Sequence, residues 1–479
     1  MNYRMIVYVL GWILNFEALF ILPSCLCGVI YGEKATFSLL ITAGICALIG
    51  ILAVLRKPDN KKIYAREGFV IVALSWFILS IFGALPFRIS GEIPHMIDAV
   101  FETASGFTTT GASILPEVEA MSKCLVFWRS FTHWVGGMGV LVFVIAILPL
   151  AGGSNMYLMK AESPGPSVKK LVPKVRTTAL TLYGLYLFIT VVEAVLLIAG
   201  RMPVFDALTI TFGTAGTGGF GVRNDSAAGY SVYVQVVVTV FMILFGVNFN
   251  LYYLIYKRKF KDIKYCTEVF VYLGIIAGSI ILISINIAGM YDHAGMAVKD
   301  AAFQVGSIIT TTGYSTTDFD LWPSFSKTLL VTLMFVGACA GSTGGGIKVS
   351  RIMILLKTVG KELNNFIHPN SVRKISVEGK QLEHSVLRST NVYIMAYAAV
   401  YVLSILIISL DNFDFTTNFT AVAATLNNIG PGLAGVGPMA NFSQYSPLSK
   451  IVLTFDMLAG RLELFPVLIL FSWRTWKTK

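Results

Sequence analysis

Apolar residues in this chain run in long blocks separated by short polar breaks. A block near 20 residues crosses about 30 Å of hydrocarbon as a helix. Ten such spans are predicted, at approximately 5–30, 35–55, 68–87, 124–150, 177–200, 231–256, 268–290, 327–356, 389–410 and 448–472. The eighth is the least regular. The first contains Glu17 and lacks a small-residue cleavage site, so it reads as a retained helix and not a signal peptide.

Between the third and tenth spans a second pattern recurs: long apolar helix, short helix, Gly/Thr segment, long apolar helix. The short segments read "DAVFETASGFTTTGAS", "DALTITFGTAGTGGFG", "DAAFQVGSIITTTGYS" and "TNFTAVAATLNNIGPG". Asp98, Asp206, Asp300 and Thr417 each precede a glycine by thirteen residues: Gly111, Gly219, Gly313 and Gly430. Those glycines lie 108, 94 and 117 residues apart, giving four repeats of about one hundred residues. The Asp and Thr positions are expected N-caps, each opening a helix of about ten residues. Such a helix is roughly 15 Å long and cannot span. It must re-enter and return, with its irregular backbone sheltered by protein or a water-filled cavity. Its partly negative C-terminal end then favours a cation near the bilayer centre. Carbonyl oxygens at the Gly/Thr segments could replace the hydration shell of an alkali cation, as in the TVGYG loops of potassium channels. A helix-packing face of small residues is the alternative for any one TTTG; the common register of all four argues for the pore loop.

Composition agrees with a membrane location. The chain of 479 residues is 55% hydrophobic and only 13% charged, with a mean hydropathy of +0.73. Its net charge of +11 is not a nucleic-acid footprint. Basic residues fill alternate loops: "RKPDNKKIYAR" (56–66), Lys160 to Arg176, "KRKFKDIK" (257–264), Lys348 to Arg388 and the tail "RTWKTK". That alternation predicts a multi-pass protein of the cytoplasmic membrane, surrounded by lipid, with the basic loops and both termini cytoplasmic. The cysteines Cys25, Cys27, Cys46, Cys124, Cys266 and Cys339 lie mainly in apolar segments, without a CxxC pair, and read as buried thiols.

The motifs "GFTTTGAS" (106–113), "ITTTGYS", "NNIGPGL" (427–433), "GSTGGGIKVSR" (341–351), "WVGGMG" (134–139) and "AGRLELFP" (459–466) together carry a family resemblance. The chain resembles the Trk/Ktr/HKT superfamily of potassium transport proteins. Within it, the extra helix pair at 1–56 is similar to the Trk type and is absent from the Ktr type. The implied fold is an all-α membrane protein. Four helix–pore-loop–helix repeats in pseudo-fourfold arrangement follow an N-terminal helix pair, giving about 10 transmembrane helices and 4 half-helices. The corresponding division is 1–65 for the pair and 66–165, 166–262, 263–375 and 376–479 for the pore repeats. The resemblance implies selective, gated potassium uptake, with K+ as the transported ion. The filter falls on Thr109, Thr110, Gly111; Thr217, Gly218, Gly219; Thr311, Thr312, Gly313; and Asn428, Ile429, Gly430. Glycine at all four ring positions favours potassium over sodium. The second and fourth segments depart from Thr-Thr-Gly, which leaves fewer hydroxyls around the ion. The resemblance also implies a homodimer and a cytosolic regulatory subunit binding NAD(H) and ATP or ADP, with neither nucleotide site in this chain.

Five glycines in "GACAGSTGGGIKVSR" (337–351) make a poor continuous helix, so the eighth span is predicted to break into a flexible loop. "GGGIK" misses the Walker spacing, and no strand precedes it. In the resembled family this run obstructs the pore. The expected gate is therefore Gly341, Ser342, Thr343, Gly344, Gly345, Gly346 and Lys348, together with Arg461. Arg461 lies inside the tenth span, where insertion of an arginine costs about 2.5–3.5 kcal/mol or more. Two readings stand: an ion pair with Asp456 or Glu463, and a positive barrier facing the pore. Arg129, His133, Glu17 and Glu193 read as helix–helix polar contacts before proton coupling. Asp225, Asp318 and Asp320 either concentrate cations at the mouth or are ordinary loop charges. Five scattered histidines without a nucleophile–base pair argue against an enzyme. A proton- or sodium-coupled potassium symporter remains the nearest alternative to a gated pore.

Overall fold

The computed structural model describes residues 1–60, 63–147, 175–370 and 374–477. The basic segment from Lys160 to Arg176 lies largely outside them, and the repeat boundary at 165 wholly so. Helices dominate, and the strands among the described residues are an antiparallel hairpin pairing Ser376 with Gln381 and Val377 with Lys380. Six described helices are long and apolar enough to cross a membrane: Tyr3–Tyr31, Thr36–Leu55, Ala65–Ser90, Ala179–Ala199, Thr267–Met290 and His384–Asp411. Lys123–Ile147 is a further long helix at the predicted fourth span. Many of their outward side chains are large and apolar, among them Val29, Leu48, Phe188, Ile285, Met395 and Leu406. Water does not tolerate such a surface and lipid does.

Three predicted spans are interrupted. The eighth divides, as its glycines predict, into Ser324–Val336 and Val349–Ile367. The second piece runs well beyond residue 356, so part of the expected basic loop is helix. The sixth was expected to be continuous, yet Val232–Phe245 and Phe249–Tyr256 meet at 88°. The reason lies elsewhere in the chain. Gly246 gives its carbonyl to Cys339 N at 3.1 Å, and Phe249 N donates to Gly341 O at 3.0 Å. The loop of the eighth span thus takes backbone bonds that would have continued the helix, and the Asn248 side chain caps the second piece. The tenth span stops at Arg461. Glu463 and Leu464 adopt φ of 56° and 66°, and a short turn restarts at Phe465 with Pro466.

Four short helices lie inside the bundle: Met96–Phe107, Val204–Gly216, Ala294–Ile309 and Phe415–Leu426. With 12 to 16 residues each they are too short to cross the hydrocarbon core, and are here called the first to fourth pore helices. Their starts differ from the expectation. The N-caps are His95, Pro203, His293 and Asp414, because apolar residues ahead of the expected caps join the helices. Asp98 and Asp206 sit in the first turn, Asp300 further in, and Thr417 is the residue whose amide Asp414 caps, at 3.0 Å. The displaced carboxylates act as anchors. Asp98 accepts from Lys450 at 2.6 Å, Asp206 from the Tyr230 hydroxyl at 2.9 Å, and Asp300 from the Thr316 hydroxyl at 2.8 Å.

Candidate ion filter and gating loop

Each pore helix ends in the same way. The amides of Thr109, Thr217, Thr311 and Asn428 donate three residues back, to Gly106, Thr214, Ile308 and Thr425. The amides of Thr110, Gly218, Thr312 and Ile429 donate five back, to Ser105, Gly213, Ser307 and Ala424, at 2.8 to 2.9 Å. This is the Schellman arrangement, which requires a left-handed residue just past the helix. Here that residue is Thr109, Thr217, Thr311 or Asn428, with φ of 55°, 56°, 60° and 56°. Threonine in that region is strained by roughly 1–3 kcal/mol. Two residues on, Gly111, Gly219, Gly313 and Gly430 again take positive φ, from 74° to 99°. Backbone handedness therefore alternates through all four segments, which turns successive carbonyls toward one side.

The four segments close on one another. A Cβ on Gly111 would overlap the carbonyl oxygen of Gly218; on Gly219, that of Thr312; on Gly313, that of Ile429. On Gly430 it would lie 2.8 Å from Thr110 O. Each ring glycine thus abuts the carbonyl preceding the ring glycine of the next repeat, and the fourth returns to the first. The expected filter residues are brought together as one closed, fourfold ring of backbone.

Side chains follow a lower symmetry. Thr108 and Thr110 share a hydroxyl hydrogen bond of 2.8 Å, and Thr310 and Thr312 one of 2.7 Å. The second and fourth repeats have Gly218 and Ile429 in place of Thr110 and Thr312, so hydroxyl pairs occupy opposite repeats only. Filter hydroxyls also make further bonds: Thr110 Oγ1 accepts from the side-chain amide of Asn428 at 2.9 Å. Thr311 Oγ1 accepts from Gly345 N at 2.6 Å, which ties the filter to the glycine loop.

That loop sits against the C-terminal ends of the third and fourth pore helices. Gly346 N donates to Asn427 O at 3.0 Å, and a Cβ on Gly344 would be 2.8 Å from Thr310 O. Thr343 lies against Phe245 O at 3.3 Å, and buried Lys348 donates to Gly344 O within the loop. Arg461 joins the loop from the fourth repeat. Its Nη1 donates to Thr343 O at 2.8 Å and its Nη2 to Gly136 O at 2.7 Å. The two suggested partners are turned elsewhere. Glu463 pairs with Arg351, its Oε1 3.1 Å from Nη1, and Asp456 accepts from Ser404 at 2.7 Å. The guanidinium thus bridges a loop carbonyl and a carbonyl of the helix Lys123–Ile147.

Residues that sequence reasoning treated as secondary buttress the ring. Arg129 pairs with Glu102 of the first pore helix at 2.5 Å, donates to Gly221 O at 3.1 Å and stacks 3.6 Å from the Phe220 ring. Glu102 also accepts from Ile114 N at 2.9 Å, past the first ring glycine. His133 bonds Gly106 O at 2.8 Å through Nδ1 and accepts from Phe220 N at 3.3 Å. Both therefore make polar contacts. Glu17 does not: its buried carboxylate has no hydrogen-bond partner among the described residues. Asp318 caps its own turn at Asp320 N, 3.0 Å, and Asp320 lies 3.8 Å from Lys327. Glu102, Glu268, Arg351 and Asn427 were not singled out from sequence; a charge inside an apolar helix was the available signal for Glu102 and Glu268. Gly136 and Gly460 give the family motifs around them a structural reason. A Cβ on either would overlap the last carbonyl of a pore helix, Phe107 or Leu426.

The sequence model of the TrkH family, described as a cation transport protein, matches residues 37–287 and 280–477. The chain is 37% identical, over 100% of both sequences, to the Trk system potassium uptake protein TrkH of Salmonella typhimurium. It is 33% identical to the Trk system potassium uptake protein TrkG of Escherichia coli, over 99% of each. The crystal structure of the potassium transporter TrkH from Vibrio parahaemolyticus superposes with a TM-score of 0.90 at 32% identity, covering 100% of both chains. With a matching repeat, a closed carbonyl ring and full-length relatives, this chain belongs to the TrkH family of cation transport proteins.

Proposed function

We propose that this chain is the potassium-conducting membrane subunit of an uptake system, selecting K+ at the ring and gating it at the glycine loop. It is a multi-pass membrane transport protein, not an enzyme, and potassium is its transported ion. The observation that carries the finer reading is the closed succession of ring glycines against neighbouring carbonyls. A partly dehydrated cation on that axis exchanges water for fixed carbonyl dipoles at the negative ends of four helices. The loop from Gly341 to Gly346, Lys348 and Arg461 then set a steric and electrostatic barrier below it. Both termini and the basic loops are assigned to the cytoplasm on the positive-inside pattern. The Trk-type resemblance adds a homodimer and a separate cytosolic subunit holding NAD(H) and ATP or ADP.

Radiolabelled rubidium uptake into proteoliposomes, with and without competing sodium, tests the reading. Uptake that sodium outcompetes at equal concentration overturns potassium selectivity. Coupled symport is the second reading, favoured by fully buried Glu17, whose carboxylate has no hydrogen-bond partner among the described residues. Uptake driven by a rubidium gradient alone, with no proton or sodium gradient, removes symport; its absence removes the channel.

A further inference from the structure

The glycine loop is closed at its neck by its own backbone: Ile347 N donates to Phe335 O, Lys348 N to Val336 O and Val349 N to Ala338 O, at 3.1 to 3.3 Å. Those bonds fix the shape of the loop but not its place. A side chain from outside the loop reaches the neck. Glu268, in the first turn of the helix Thr267–Ile287, is 2% exposed. Its Oε1 accepts from Ala340 N at 2.7 Å and from Ser350 N at 3.0 Å. A single carboxylate oxygen therefore holds the entering and leaving strands of the loop at once, on a different helix from either.

The geometry points to Glu268 as a positioning residue for gating: it pins both feet of the loop to the third repeat and so sets the resting position of the barrier. This rests on reading 337–351 as the gate. Charge-assisted hydrogen bonds are about twice as strong as neutral ones, and removing the acceptor strands two buried amides. The loop then leaves its seat more readily. The anchor also lies on a path from the basic surface. Tyr265, three residues before Glu268, packs on the hairpin, where a Cβ on Gly379 would be 3.1 Å from its ring. Lys357, on the helix that leaves the loop, donates to Ser376 O of the same hairpin at 2.8 Å. A load on the hairpin thus acts on both elements that Glu268 joins.

The test compares Glu268→Ala, Glu268→Gln and Arg461→Ala in proteoliposomes by radiolabelled rubidium flux, with hydrogen exchange of the purified full chain alongside. Glu268→Ala is expected to raise flux about fivefold or more, and Glu268→Gln, whose amide oxygen still accepts, by less. The rubidium-over-sodium ratio stays at the wild-type value, because the ring is untouched. Exchange accelerates in peptides covering 337–351 and not in those covering the pore helices, whereas general loosening would accelerate both. If Arg461→Ala raises flux and Glu268→Ala does not, the role of Glu268 is overturned while the gate stands. If neither raises flux, the gate reading itself fails. Should Glu268→Ala not fold, unchanged exchange at 337–351 in Glu268→Gln overturns the proposal.

Discussion

The guanidinium of Arg461 donates to the carbonyl of Thr343 at 2.8 Å, joining the end of one broken helix to the middle of another. Its second bond, to Gly136 O, reaches the first repeat. The residue therefore ties the loop to the first and fourth repeats, and on the proposed gate it also charges the conduction path. A hydrogen bond to a charged group contributes about 1.5–3 kcal/mol, so its loss shifts the loop equilibrium roughly ten- to hundredfold. Arg461→Ala is expected to raise basal rubidium flux by about that factor. Arg461→Lys keeps the charge but not the planar fork that reaches two carbonyls, and should fall between the two.

The ring glycines are not equivalent. At Gly111, Gly219 and Gly313 an added Cβ overlaps a neighbouring carbonyl, whereas at Gly430 it lies 2.8 Å from Thr110 O. Positive φ at all four adds about 1–2 kcal/mol for any L side chain. Alanine at the first three positions should displace the abutting carbonyl and, on the proposed filter, blunt selectivity, with Gly430→Ala the mildest. Gly313→Ser belongs with the severe group. Sodium competition against rubidium uptake ranks the four; equal loss at every position would contradict the packing difference.

The common register of the four Gly/Thr segments was legible because it is local: helix end, left-handed residue and glycine follow one another in each repeat. The uninterrupted spans were legible from apolar blocks, whereas the sixth, eighth and tenth are broken. What escaped was set by distant backbone. The local signal for the 88° bend is weak, an Asn248 cap, because the bend is set by hydrogen bonds to the distant residues Cys339 and Gly341. The pore helices start before the expected aspartates because an N-cap residue type signals only a favourable site, and Asp98, Asp206 and Asp300 are engaged by Lys450, Tyr230 and Thr316. The surroundings of Arg461 were likewise set at a distance, by the carbonyls of Thr343 and Gly136. Glu463, close in sequence, turns through a left-handed residue toward Arg351.

Arg129 and Glu102 carry the largest expected stability effect. Their side chains are 3% and 0% exposed, and the pair links the first pore helix to the strand of backbone after each of the first two ring glycines. Removing one member of a buried pair strands the other and costs about 3–5 kcal/mol. Arg129→Ala should therefore lower the unfolding midpoint in detergent markedly, and Glu102→Gln, which retains an acceptor for Ile114 N, less so. A double-mutant cycle with Arg129→Met and Glu102→Leu separates the pair term from the desolvation each member suffers alone.

Acid sensitivity should trace to the mouth of the fourth repeat. Asp414 caps the fourth pore helix, and hydrogen bonds from the Thr417 hydroxyl and amide hold its carboxyl below the usual carboxylate range. A group depressed in the folded state stabilises it above the unfolded-state pKa and loses that contribution as pH falls through the folded value. The wild-type unfolding midpoint should therefore be flat near neutral pH and decline through the acidic carboxylate range. Asp414→Asn still offers a capping oxygen but cannot titrate, so it should start slightly lower at neutral pH and decline less steeply. Thermal unfolding of both proteins across that range decides it: parallel curves would remove Asp414 as the source, leaving Asp411, whose carboxylate accepts from Ser446 N at 2.8 Å, as the group to replace next.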